Sequence, residues 1–134
     1  MNMKNVLIMT AAIAVMNMNA CNAANLGDIV NTKELKQVLS SDEMATVFID
    51  DYAICRADTR SGKIMQIDYS RSDMKIFGVQ IGDELRVPKN GTLVSQVNYN
   101  ANQYFTYRLP DKSLVRLTVN SGIVKGISWI VDVG

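Results

Sequence analysis

The sequence predicts an α+β domain in which a short N-terminal helix packs on a curved, β-rich antiparallel sheet ending in a three-stranded meander. Three observations carry this. Leu35, Val38 and Leu39 fall at helical spacing. From Met44 onward, short runs rich in β-branched and aromatic residues are separated by turn formers. Between Gln103 and Val133, three runs alternate apolar with polar residues across tight turns.

The first segment stands outside that domain. Lys4 is its only charge, and Val6 to Val15 reads VLIMTAAIAV. An apolar run of about ten residues suits a signal h-region and falls well short of the ~20 that span a bilayer. Residues 1–20 are therefore expected to be a cleaved leader, 21–31 a tether and 32–134 the domain. Met18-Asn19-Ala20-Cys21-Asn22 resembles the lipobox of bacterial lipoproteins, which implies acylation of Cys21 and a lipid anchor in the membrane. Met18 and Asn19 depart from the preferred residues. The alternative is ordinary cleavage near Ala23 or Ala24, which releases a soluble domain. Under the lipoprotein resemblance the residue after the cysteine is a sorting signal, and Asn22, not being an aspartate, implies the outer membrane, facing the periplasm.

Thr32 is expected to N-cap a helix over Lys33 to Leu39. Strands follow at Met44 to Asp50 and Tyr52 to Ala57, although Met44 to Phe48 is also compatible with a longer helix. Thr59-Arg60-Ser61-Gly62 reads as a turn, and Lys63 to Tyr69 as a strand with Met65, Ile67 and Tyr69 inward. Ile76 to Asp83 interleaves apolar residues with Gly78 and Gly82, which suggests an extended segment closing in a turn. Pro88-Lys89-Asn90-Gly91 is a turn signal. The meander comprises Gln103 to Leu109, Leu114 to Asn120 and Ile123 to Val133. Its inward face is expected to collect Phe105, Tyr107, Leu109, Val115, Leu117, Val119, Ile127, Trp129 and Val131.

Composition narrows the chemistry. The whole chain has 14 basic and 13 acidic side chains; loss of Lys4 with the leader makes the remainder neutral. That argues against nucleic acid as a partner. There is no histidine in the chain, so the usual zinc ligands and the usual partner of a nucleophilic serine or cysteine are missing. The glycines do not have phosphate-loop spacing. No cofactor or metal is expected. Five of the eight methionines lie in the leader, so they describe the targeting segment. Cys55 is expected to be a packed thiol, the competing reading being a disulfide to Cys21. Asp42-Glu43, Asp50-Asp51 and Asp83-Glu84 are expected to solvate turns, since neighbouring residues of a strand point to opposite faces.

Gly62-Lys63-Ile64-Met65-Gln66-Ile67-Asp68, Ser72-Asp73, Gly78-Val79-Gln80-Ile81-Gly82 and the terminal Val124 to Ile130 strand with Trp129 resemble a family of small proteobacterial outer-membrane lipoproteins of unknown function. The resemblance begins near Asp51, omits Asp83 to Asn102, and carries over no catalytic residue. The fold it implies is α+β. The expected role is a non-enzymatic binding or assembly module at the outer membrane, with an envelope protein or peptidoglycan as partner. The alternative is a small cell-wall glycan hydrolase or an inhibitor of one. Arg108 and Arg116 are expected on the outward face of the meander, flanked by Tyr104, either solvated and relieved by neighbours such as Asp132 or contacting an acidic partner.

Overall fold

The computed structural model describes residues 25–132, and the fold is all-β. Eight strands follow in order: β1 Val38–Ser41, β2 Ala45–Asp50, β3 Ala53–Asp58, β4 Ile64–Tyr69, β5 Thr92–Tyr99, β6 Asn102–Arg108, β7 Leu114–Asn120 and β8 Ile123–Ile130. They form one antiparallel sheet in the spatial order β1-β2-β3-β4-β8-β7-β6-β5. Each half is a meander of four strands, and antiparallel pairing of β4 with β8 joins them through Trp129 opposite Ile67.

The expected helix over Lys33 to Leu39 is absent, which corrects the α+β assignment to all-β. Val38 instead pairs with Phe48, and the Ile49 N–H donates to the Gln37 carbonyl. Thr32 does not cap; its hydroxyl donates to the Thr59 carbonyl. The cause is physical: seven residues are too few to hold a helix alone, and from Val38 onward the chain gains backbone partners along β2.

Two bulges also displace the expected alternation. A register shift between Arg56 and Ala57 sets Ala57 opposite Ile64 and Arg56 opposite Gln66, leaving Met65 between them. Ile64 and Ile67 are consequently buried, whereas Met65, expected inward, is only half-buried. A second shift between Val124 and Gly126 turns Val124 inward with Ile127.

The turns follow the chemistry of their residues. Phe77 and Gly78, then Ser121 and Gly122, have positive φ at both central positions, the two-residue geometry that matches strand twist. Gly62 is required twice over. Its φ is +76°, and a Cβ there would lie 1.9 Å from the Val30 carbonyl oxygen. That carbonyl belongs to residues 25–30, which run along β4: the Gly27 N–H donates to the Ile64 carbonyl and the Val30 N–H to the Gly62 carbonyl.

One face of the sheet is the core, and irregular chain covers it. Leu26, Val30 and Leu35 pack over the cluster of Phe48, Cys55, Ile64 and Ile67, while Met74, Phe77 and Ile81 pack over the cluster built on β6 to β8. Trp129, Tyr69 and Met74 touch both clusters. Trp129 meets Phe77 edge-on at 5.2 Å between ring centroids, an arrangement favoured by the ring quadrupoles.

Candidate interaction surface

Two surfaces of the meander are left open: its outward face and its free edge. On the outward face, Arg116 of β7 lies opposite Thr106 on β6 and Ser128 on β8. The row continues to Asp68 of β4, whose carboxylate accepts from the Ser128 hydroxyl at 2.6 Å and the Gln66 amide at 2.9 Å. Arg116 Nε is buried without a hydrogen-bond partner. Arg108 takes a different environment, with its guanidinium donating to the Asp132 carboxylate at 2.6 Å. Tyr104 is half-buried on the same face, between Val97 and Thr118, with Asn102 donating weakly to its hydroxyl at 3.5 Å. The structure thus brings the three residues onto one face but engages Arg108 with Asp132. Cys21 lies outside the described residues.

The carboxylates divide by role. Asp42 accepts from the backbone N–H groups of Ala45 and Met44, which hold its pKa below the usual value. Asp58 does the same at the β3–β4 turn with Ser61 and Arg60. The Ser113 hydroxyl, then the Ser113 N–H, lower Asp111; the same hydroxyl accepts from Trp129 Nε1 at 2.9 Å. Asp83 accepts from the Gln80 N–H at 3.0 Å and lies 3.8 Å from Arg86. Asp50 is shifted upward, first by burial and then by the charge of Asp51, and its Oδ2 is buried without a hydrogen-bond partner among the described residues. Cys55 is fully buried on the core face.

The free edge was not legible in the sequence, because it lies in the segment where no element was expected. Thr92 to Tyr99 form β5, which among the described residues is paired on one side only, with β6, and all eight of its residues are exposed. Leu93 (50% exposed), Val94 (46%), Val97 (53%) and Tyr99 (65%) give it an apolar character on solvent-facing chain. A signal was present: TLVSQVNY is rich in β-branched and aromatic residues and lies between turn residues on both sides. It lacks inward and outward alternation because neither face of β5 is covered.

No family model matches the chain, and no match was found among curated proteins or among solved structures.

Proposed function

We propose that this chain is an exported envelope lipoprotein, acylated at Cys21, whose folded part is a non-enzymatic binding or assembly module at the outer membrane. The observation that carries the reading is β5. An uncovered strand of eight residues presents a row of backbone donors and acceptors to any extended chain, and backbone pairing of that kind is a recurrent way of recruiting protein. The leader, the lipobox and the resemblance to small outer-membrane lipoproteins support the location, and a lipid anchor would hold the edge near the membrane surface. Arg116 and Tyr104 belong to the same reading as a second contact region, beside the β5 edge rather than on it.

The test uses a photoreactive amino acid at Val97 on the edge, at Thr106 on the arginine face, or at Lys125 as an exposed position away from both. In intact cells, adducts are expected at Val97 and not at Lys125. Adducts at Thr106 alone would move recognition to the arginine face, and none at either would reject the reading. Intact-mass analysis of the membrane fraction is expected to show a chain beginning at Cys21 with added acyl mass. A product beginning after Ala23 would remove the anchor.

A further inference from the structure

We propose that the partner at β5 is a second copy of this chain, paired antiparallel, β5 to β5, about a two-fold axis. The proposal rests on reading β5 as an assembly edge and names what occupies it. Four features of the molecule point to a second copy.

The first is what β5 lacks. Exposed sheet edges are ordinarily blunted by charge, proline, shortness or bulges. Strand β5 contains no charged residue and no proline, and at eight residues it equals β8 as the longest strand. Its one bulge, between Leu93 and Ser95, leaves Ser95 to Tyr99 regular.

The second is the contrast with the opposite edge. Strand β1 has only four residues and is broken by a register shift between Val38 and Ser40. The molecule therefore has one usable edge and one blunted edge. Joining β5 to β1 would generate an open filament through a four-residue contact, whereas joining β5 to β5 closes on itself and leaves only blunted edges outside.

The third is charge. In a two-fold antiparallel joint a charged residue near the axis meets its own copy, and so like charge. Strands β2, β3, β4, β6, β7 and β8 each carry at least one charged residue; the two edge strands, β1 and β5, carry none, and of these only β5 is long enough to pair. A partner recognised by charge has nothing to pair with on this strand.

The fourth is size. With the axis at Val97, Ser95 to Tyr99 pair with their own copies and supply roughly five main-chain hydrogen bonds, at the lower bound of the ~10 ± 5 of a typical protein interface. Val97 and Tyr99 share the outward face, and with the axis in the Ser95 to Tyr99 stretch the two Val97 side chains come within cross-strand reach.

The experiment is sedimentation velocity of the purified full chain across a concentration series, with Val97→Lys and Val97→Glu alone and mixed. Both residues point outward from an exposed strand, so thermal melts should show each variant folded. The wild type is expected to move from monomer to dimer. Either variant alone should dimerise roughly tenfold or more weakly, and an equal mixture should recover dimer because Lys then faces Glu. In intact cells, Val97→Cys is expected to give an interchain disulfide and Lys125→Cys none. A wild type that stays monomeric, a folded Val97→Lys chain as dimeric as wild type, or growth into filaments would each overturn the proposal. A monomeric wild type that still forms Val97 adducts with another envelope protein would overturn self-pairing while leaving β5 as a binding edge.

Discussion

Single residues in this fold divide according to whether the backbone or the side chain fixes them. Gly62 is fixed by the backbone. Gly62→Ala meets both a positive φ and the Val30 carbonyl, and is expected to cost more than about 2 kcal/mol in a denaturant titration. Gly122 has the same φ of +76° but open space around it, so Gly122→Asn should cost less than about 1 kcal/mol. Trp129 is fixed by its side chain, through the edge contact with Phe77 and the hydrogen bond to Ser113. Trp129→Ala is expected to cost roughly 3 to 5 kcal/mol. Trp129→Phe retains the ring but leaves the Ser113 hydroxyl without its donor, and should cost about 1 kcal/mol on that account. Cys55 is fully enclosed, so a thiol reagent should label it slowly in the native protein and quickly after denaturation. Rapid native labelling would show that the β2–β3 part of the core opens.

At the scale of elements, pairing decides more than propensity. Leu35, Val38 and Leu39 carry an apolar spacing that reads as helix, yet Val38 to Ser41 form a strand because β2 offers backbone partners there. The strand at Thr92 to Tyr99 has the opposite history, with suitable residue types but no alternation, since only one of its edges and neither of its faces is occupied. Amide hydrogen exchange should rank these elements. Strands β4 and β8, at the centre of the sheet and enclosing Ile64, Ile67, Val124 and Ile127, are expected to exchange last. Strand β1 should exchange early. Strand β5 should exchange early at low concentration and become protected as the chain associates; protection that ignores concentration would count against the two-fold joint.

For the whole molecule, two half-sheets share Tyr69, Met74 and Trp129, so the halves are expected to unfold together. Its response to acid combines two opposing signs. Asp42, Asp58, Asp73 and Asp111 have lowered pKa values in the folded state. The unfolded chain therefore binds more protons as pH falls, and the stability they contribute above the unfolded carboxylate value of about 3.9 is lost on acidification through their folded values. Asp50 is raised by burial and by Asp51. There the folded chain takes up the proton first, so acidification between its folded value and the unfolded one stabilises. Asp50→Asn is accordingly expected to raise the melting temperature at neutral pH and to remove the Asp50 contribution on mild acidification. An unchanged pH profile would show that the Asp50 carboxylate is well solvated in the folded protein.

The sequence by itself determined what local chemistry and strong alternation determine. The expectation of a leader rests on one apolar run and that of a lipobox on a resemblance at Met18 to Asn22, both outside the described residues. The hairpin turns at Gly62 and Ser121-Gly122 were read from residues that tolerate positive φ. The inward rows of β6 and β7 were read from strict period-two spacing, since each strand there is buried on one face. Tertiary structure decided the rest. Whether Val38 and Leu39 coil or extend depends on β2 lying beside them, and whether Ile64 or Met65 turns inward depends on a bulge opposite Arg56 and Ala57. The free edge at β5 depends on where the sheet stops. A strand signals its place through the faces it buries, and β5 buries neither, so its position at the margin emerged only when all eight strands had been laid in order.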